Sequence, residues 1–285
     1  MPCHRQNPGR QWRILAVGRH SALRRPHGAK KMLKIHQFPY GSDNYGVLLH
    51  CPESGETAMI DAGDAEAAEA ALAETGWPLS QIWITHHHGD HTAGLTAVKA
   101  AHGAHVIGPA PGKAEITGID EVVGDEAHFT FAKREVRVLT TPGHTLDMIN
   151  FHLPSEKLVF TGDTLFAMGC GRVFEGDAPM MWASLEKLMA LADDTTIYCS
   201  HEYTAANAAF AVTVDPDNSA LVVRHDEVKA LRANGRPTVP TIMALEKATN
   251  PFLRAADPAI RAHLGMTDAT DAEVFAEIRR RKDVF

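Results

Sequence analysis

The string Thr85-His86-His87-His88-Gly89-Asp90-His91 packs several metal-ligand side chains into seven residues. It follows the apolar run Ile82-Trp83-Ile84, which is typical of a β-strand. If the chain stays extended beyond the strand, His86 and His88 point the same way, because side chains alternate along an extended backbone. The last two residues of the string then point at a neighbouring spot. The string therefore predicts a loop that serves two metal ions side by side. The alternatives are a surface His-rich tract that binds metal casually and a purification tag. We disfavour them, because tags are terminal and carry no Asp at a fixed offset.

Three more turns at predicted strand ends carry candidate ligands: Thr141-Pro142-Gly143-His144-Thr145, Thr161-Gly162-Asp163-Thr164 and Ser200-His201-Glu202-Tyr203. Taken singly, each is more typical of an ordinary turn residue or helix cap. Together with the first string they supply five histidines and two aspartates: His86, His88, Asp90, His91, His144, Asp163 and His201. That set suits two divalent ions, each with an open position for water.

Composition narrows the class of protein. With 45% hydrophobic and 22% charged residues, the chain has an ordinary globular profile. No apolar run approaches the ~18 residues that span a bilayer, so no membrane partner is expected. The four cysteines are scattered without disulfide or metal-site spacing, which favours a reducing compartment, the cytoplasm. The ions would then lie among imidazoles and carboxylates, which zinc, iron and manganese all tolerate; zinc is the first expectation.

Charge is unevenly distributed along the chain. Residues 1–31 hold eight of the 28 basic residues and no acid, so the rest carries 20 basic and 35 acidic residues, a net charge of −15. A body this acidic argues against nucleic-acid binding. Residues 1–31 have no apolar periodicity and are expected to be a disordered basic extension. Their Arg-rich, acid-free composition resembles a mitochondrial transit peptide, but we favour the alternative that Met32 is the true start.

From residue 32 to about 202, short strands alternate with helical stretches, which predicts helices packed over sheets, an α/β fold. A helix is predicted over 65–75, and another over 180–192 with Met181, Leu185, Leu188 and Met189 on one face. The predicted strands cover 34–39, 45–50, 57–61, 82–85, 105–107, 136–140, 148–153, 157–161 and 196–199. After Tyr203 we expect no further strand, only helices over 203–212, 217–233, 241–247 and 271–281. Residues 203–285 thus form a small all-helical segment.

The order THHHGDH, TPGHT, TGDTLF and SHEYT resembles the metallo-β-lactamase superfamily. Within it the chain is most similar to glyoxalase II, the hydroxyacylglutathione hydrolases. The likeness begins near Met32 and includes Gly41–Tyr45. The metal motifs are shared across the superfamily, and three later stretches indicate the glyoxalase II family in particular: Gly169–Gly176, Asn250–Arg254 and Arg279–Asp283. The resemblance implies an αβ/βα sandwich over 32–202 with metals at one edge, followed by a helical substrate-binding domain over 203–285.

The resemblance also implies how the ligands divide. His86, His88 and His144 would hold one ion, Asp90, His91 and His201 the other, and Asp163 would bridge. The implied reaction is hydrolysis of S-D-lactoylglutathione to glutathione and D-lactate, by a monomer acting on this small-molecule thioester. We expect a second, catalytic role for Asp90, whose carboxylate would accept a hydrogen bond from the attacking hydroxide and aim it. A thiolate leaves readily, so no dedicated general acid is expected.

The substrate residues implied by the resemblance are Arg172, Phe174, Tyr203, Arg279 and Lys282. Glutathione carries two carboxylates, and an acidic protein needs local cations to bind them. Arg279 and Lys282 are three apart, so on a helix they share one face. Two positions depart from the family pattern, which commonly has Lys at Arg172 and Tyr at Phe174. The second change removes a hydroxyl donor.

Three other interpretations remain open at this point. One is a persulfide dioxygenase of the same superfamily, with a single iron held by two histidines and one aspartate. Another is a lactonase or β-lactamase, which would not need the basic C-terminal stretch. The third is a non-enzymatic metal-fold protein used for binding or regulation, which the complete ligand set argues against.

Overall fold

The structure, a computed structural model, describes residues 32–110 and 114–285. The expectation of a disordered extension over 1–31 lies outside this part of the chain. In the described residues two six-stranded sheets face each other, with helices on both outer faces. The expected fold class, an αβ/βα sandwich with a helical C-terminal region, is confirmed.

The first sheet begins with antiparallel strands and continues in parallel. Its strands follow chain order: β1 (Lys34–Tyr40), β2 (Asn44–His50), β3 (Thr57–Ile60), β4 (Gln81–Trp83), β5 (His105–Pro109) and β6 (Glu121–Val123). Strand β3 is buried on both faces, which matches its apolar residues Ala58, Met59 and Ile60.

The remaining strands are β7 (His128–Phe131), β8 (Arg134–Thr140), β9 (Ile149–Leu153), β10 (Leu158–Gly162), β11 (Leu165–Phe166), β12 (Gly169–Cys170), β13 (Thr196–Cys199) and β14 (Thr241–Ile242). The second sheet has the order β14-β13-β10-β9-β8-β7, and β11 pairs with β12 alone. Because β3 is parallel to β4, and β10 to β13, the loops at their carboxyl ends meet at one edge.

The helices are α1 (Ala65–Thr75), α2 (Gly89–Thr92), α3 (Leu95–His102), α4 (Ala178–Met189), α5 (Thr204–Val214), α6 (Ser219–Ala233), α7 (Met243–Thr249), α8 (Pro258–Leu264) and α9 (Asp271–Asp283), with 3-10 turns at Pro154–Glu156 and Pro251–Leu253. Local chemistry fixes several ends. The Asp64 carboxylate caps α1, and Gly76 in the left-handed region ends it. Thr270 and Glu273 form a capping box at the start of α9.

Three apolar layers hold the sandwich together. Trp83 lies between the sheets, fully buried, with its ring edge-on to Phe131. Helices α1 and α3 cover the outer face of the first sheet. Helices α4, α5, α8 and α9 pack in one cluster over the outer face of the second sheet, so the C-terminal helices join the core of the sandwich.

Two expectations about residues 203–285 are wrong in detail. Strands do not stop at Tyr203, because β14 pairs antiparallel with β13 and extends the second sheet. The helix expected over 241–247 therefore starts later, at Met243. In the described part of the chain, no helix is long and apolar enough to cross a membrane.

Candidate metal centre and substrate cleft

Three of the predicted ligands form a compact group at the carboxyl edge of the sheets. His88 Nδ1 lies 3.1 Å from His86 Nε2 and 3.1 Å from His144 Nε2. The chain is extended through His88, as the sequence suggested, so both string histidines face the same point. The third ligand arrives from the second sheet. We call His86, His88 and His144 the first ligand group.

Asp90, His91 and His201 form another group beside the first, and we call them the second ligand group. Asp90 Oδ2 lies 3.5 Å from His91 Nε2 and 3.6 Å from His201 Nε2. Asp163 connects the groups, because its Oδ2 is 3.3 Å from His201 Nε2 and 3.4 Å from His144 Nε2. The string does not stay extended to its end. It coils into the helical turn α2, which brings Asp90 and His91 to this second position.

The spacing of these atoms suits metal coordination. Nitrogen or oxygen ligands about 2.0–2.1 Å from one ion, at tetrahedral angles, stand about 3.3–3.4 Å apart. The observed separations of 3.1–3.6 Å bracket that value. In the described residues, His91 Nε2 and Asp163 Oδ1 are buried without a hydrogen-bond partner. The donor set therefore fits two divalent ions that share Asp163.

Each buried histidine is held by an oxygen on its far nitrogen. His91 Nδ1 is 2.8 Å from Asp61 Oδ2, and His201 Nδ1 is 2.9 Å from Asp43 Oδ1. The Nδ1 of His144 is 2.8 Å from the backbone carbonyl of Arg172. A proton on Nδ1 leaves the lone pair of Nε2 facing the centre, so these partners set both tautomer and ring orientation.

Burial and charge divide the centre into two electrostatic halves. Burial lowers the pKa of His86, His88 and His144, and neighbouring imidazoles lower it further. In the other half, burial is outweighed by the carboxylates of Asp163 and Asp61, which raise the pKa of His91 to about 9. The pKa of Asp163 is held well below its usual range despite burial, because the imidazoles around it favour the carboxylate.

A cleft of about 610 Å³ opens directly on this centre. All five residues that the resemblance implied for substrate binding line it, together with five of the predicted ligands: Arg172, Phe174, Tyr203, Arg279 and Lys282, with His88, Asp90, His144, Asp163 and His201. The structure therefore brings the two predicted sets into one continuous space. C-terminal residues Asp283 and Phe285 also line it and were not predicted.

Two aromatic side chains stand beside the metal end of the cleft. The exposed Phe174 ring lies 5.2 Å from the His144 ring and 5.9 Å from that of His88. Tyr203 stacks on His201, with ring centroids 4.7 Å apart. Burial and the nearby Asp43 carboxylate raise the pKa of Tyr203, so its hydroxyl remains a neutral donor. The hydroxyl group that Phe174 lacks, and that the family commonly has at this position, would therefore lie at the metal end of the cleft.

Arg279 and Lys282 both line the cleft, but protein groups occupy the donors of Arg279. It is only 7% exposed, and its guanidinium donates to the carbonyl of Cys170 and to Asp283. Lys282 is more accessible; its ammonium donates to the Ala206 carbonyl and lies over the Phe210 and Phe285 rings. The more accessible cations of the cleft are therefore Lys282 and Arg172. The Arg172 side chain is 62% exposed, and its Nε lies 3.7 Å from Asp283 Oδ1.

The stretches that narrowed the resemblance have structural roles around this cleft. Asn250 donates to the carbonyl of Gly169 at 3.0 Å, which holds the turn leading to Arg172. Gly171 lies so close to the loop of Asp163 that a Cβ at Gly171 would stand 2.0 Å from the Asp163 carbonyl oxygen. Only glycine fits at that distance.

Sequence reasoning missed the residues that support the ligands. Asp43 and Asn44 lie in the quoted Gly41–Tyr45 stretch, but nothing in the stretch gave them roles; Asn44 donates to Asp90 Oδ2 at 3.0 Å. Asp61 follows β3, another strand end, which is the signal that could have found it. A further group beside the centre, His87, Asp147 and Glu175, was not predicted either.

Comparison with known proteins agrees with this architecture. The profile of the metallo-beta-lactamase superfamily matches residues 44–201, and that of the hydroxyacylglutathione hydrolase C-terminus matches residues 202–285. A curated hydroxyacylglutathione hydrolase of Brucella canis is 56% identical over 259 residues, which cover 91% of this chain and all of that protein. One from Brucella ovis is 57% identical over 256 residues, 90% of this chain and all of that protein.

Solved structures give the same fold. ETHE1 from Myxococcus xanthus superposes with a TM-score of 0.63 at 26% identity, over 87% of this chain and 90% of that one. TTHA1623, solved in a di-iron-bound form, has a TM-score of 0.55 at 22% identity, over 76% of this chain and 98% of that one.

Proposed function

The chain belongs to the metallo-β-lactamase superfamily and, within it, to the hydroxyacylglutathione hydrolases, and from that premise we propose that it hydrolyses S-D-lactoylglutathione to glutathione and D-lactate. The observation that supports this most is the single cleft that joins the seven-ligand centre to Arg172 and Lys282. Hydrolysis of this thioester is a step of methylglyoxal detoxification.

The protein residues divide the work along the cleft. We propose that the first ligand group holds one ion and the second the other, with Asp163 shared. Two such ions, when bound, lower the pKa of a shared water towards neutrality and polarise a carbonyl. Asp90, fixed by Asn44, accepts a hydrogen bond from the attacking water and aims it. Phe174 and Tyr203 border the acyl group.

The positive charge at the end of the cleft away from the metal centre suits glutathione, which carries two carboxylates. Burial lowers the pKa of Lys282, and the guanidiniums of Arg279 and Arg172 lower it further. Among the described residues no carboxylate pairs with the Lys282 ammonium, so a bound carboxylate would relieve this repulsion. We propose that Lys282 and Arg172 bind glutathione carboxylates, and that Arg279 serves mainly to fix Asp283 and the Cys170 carbonyl.

The finer properties are also proposals. Zinc is the expected metal, since imidazole and carboxylate ligands at tetrahedral spacing suit it, and iron and manganese are the alternatives. The described cysteines, Cys51, Cys170 and Cys199, are buried free thiols, which fits a reducing compartment such as the cytoplasm. We expect the chain to act as a monomer, because one chain supplies every residue named above.

The direct test is an assay of S-D-lactoylglutathione hydrolysis on the metal-loaded protein, followed by thiol release. The matched substrate is the lactoyl thioester of N-acetylcysteamine, which keeps the reacting bond but lacks both carboxylates. We expect a clear preference for the glutathione thioester in kcat/KM. No thiol release from it would contradict the proposed function; equal rates on both substrates would contradict the role of the cations.

A further inference from the structure

His87 is the histidine of the Thr85–His91 string that the proposed ligand set does not use. It lies beside the centre, between the carboxylates of Asp147 and Glu175. The three side chains come from separate segments: the Thr85–His91 loop, which we call the metal loop, the turn after His144 and the loop after Arg172. They therefore connect loops that carry ligands with a loop that carries a substrate residue.

Distances distinguish this cluster from the two ligand groups. His87 Nδ1 is 2.9 Å from Asp147 Oδ1, an ordinary hydrogen-bond length that is shorter than every ligand separation in the centre. Glu175 Oε1 approaches the opposite nitrogen, Nε2, at 3.6 Å. One ion cannot use both nitrogens of a ring, so the ring bridges the two carboxylates: it is hydrogen-bonded to Asp147 and stands at ion-pair distance, beyond hydrogen-bond length, from Glu175.

The bridge is buried, and one end depends on His87. The Asp147 side chain is fully buried, and within the described residues its Oδ2 has no hydrogen-bond partner. A buried carboxylate is costly unless a donor or a cation compensates it. His87, itself only 12% exposed, provides that compensation and is thereby fixed in orientation.

The other end of the bridge leads back to a metal ligand. Glu175 Oε2 accepts from the backbone N–H of Leu146 at 2.8 Å. In the same loop, the Phe174 N–H donates to the His144 carbonyl. The Arg172 carbonyl lies 2.8 Å from His144 Nδ1. The position of residues 172–176 therefore sets the orientation of the His144 ring.

We propose that His87 is a positioning residue: through Glu175 it locks residues 172–176 against the metal loop, and so holds His144 in place for the ion of the first ligand group. The inference rests on the two-ion centre of the proposed function. Hydrogen bonds to the far nitrogen of a ligating histidine typically change metal affinity by 10–100-fold. We expect this effect on one ion only, because the contacts from His87 through residues 172–176 lead to His144 and to no member of the second ligand group.

The test compares His87→Asn with His87→Gln in the full-length protein. The Asn amide reaches Asp147 but not Glu175, whereas the longer Gln amide extends to the position of Nε2. Zinc-loaded protein is titrated with a chromophoric chelator, which reports the affinity of each ion. We expect His87→Asn to weaken one of the two ions by about tenfold and His87→Gln to keep it close to the wild-type value. His102→Asn, at a surface His–Glu pair, is the control and should change nothing.

Other outcomes overturn the inference. Unchanged zinc affinity in His87→Asn, or equal weakening of both ions, would show that His87 does not act through His144. A third zinc ion in the wild type that is lost in His87→Asn would identify the cluster as a metal site instead. If His87→Asn does not fold, Glu175→Gln, which keeps an oxygen for the Leu146 N–H and removes the charge facing His87 Nε2, carries the same expectation. A wild type that binds fewer than two ions would contradict the proposed function, which separates that failure from this one.

Discussion

The two ends of the cleft are built differently. At the metal end, His86 and His91 are fully buried, and a hydrogen bond on the far nitrogen orients each ring. At the other end, Arg172 and Phe285 are more than half exposed. The Lys282 ammonium donates to one backbone carbonyl and lies over two aromatic rings. A preorganised end suits chemistry, because transition-state stabilisation needs fixed geometry. An exposed, cationic end suits recognition of a flexible anion.

If this division is right, the largest effect belongs to Asp163→Ala. The change removes the carboxylate that contacts both ligand groups. Loss of several kcal/mol of transition-state stabilisation should lower kcat by at least about a thousandfold. Steady-state kinetics and metal analysis check it, with the exposed Asp194→Ala as control. A variant that retains both ions and most of its activity would contradict the shared-ligand role.

The next effect concerns a support residue at the metal end. Asp61 accepts from His91 and, at 2.8 Å, from the Thr85 backbone N–H. Asp61→Ala should weaken the ion of the second ligand group by about 10–100-fold, the usual cost of losing such a partner. Chelator titration measures it, and Asp61→Asn should lose less because the amide oxygen still accepts. Equal loss of both ions would mean that Asp61 supports the whole edge.

Within the metal end, the two ions should respond differently to pH. In the metal-free protein His91, with its pKa raised to about 9, binds a proton at neutral pH, and that proton must leave before the ring can bind metal. Affinity for that ion should therefore rise by about tenfold per pH unit between pH 6.5 and 8.5. The first group, whose histidines have lowered pKa values, should show little change. Chelator titrations across this pH range measure both affinities. Equal pH dependence of the two affinities would contradict the division of the centre into two electrostatic halves.

The smallest effect lies at the recognition end. Lys282→Ala should raise KM for S-D-lactoylglutathione by about tenfold, the worth of one partly exposed charged hydrogen bond of ~1.5 kcal/mol, and leave kcat nearly unchanged. Hydrolysis of the N-acetylcysteamine thioester should not change. Arg281→Ala, on the same helix but paired with Glu277, is the matched control. Equal losses on both substrates would show that the helix supports the fold only.

The same contrast explains what could be predicted from the sequence. The ligand residues were found because each follows an apolar strand, and helix 65–75 because its composition and caps are local. Strand β8 begins two residues before the predicted 136, because a charged residue, Arg134, is buried there against Glu156. Strand β14 was missed because two residues form it only by pairing with β13.

The support residues could not be predicted, for a related reason. Asp61 meets His91 across 30 residues, and Asp147 meets His87 across 60. The first pair forms because β3 and β4 lie side by side in one sheet, and the second pair forms only when the two sheets come together. Arg279 was predicted as a substrate cation from the family resemblance, and its spacing from Lys282 placed both on one helix face. Neither could show that the Cys170 carbonyl and Asp283 occupy its donors.

The most direct test of the account is activity measured against metal content. Metal-free protein is titrated with Zn²⁺, and both bound ions per chain and the rate of S-D-lactoylglutathione hydrolysis are recorded at each step. The arrangement of two ligand groups around Asp163 predicts that two ions bind and that full activity appears only with the second. Full activity with a single ion per chain would contradict it.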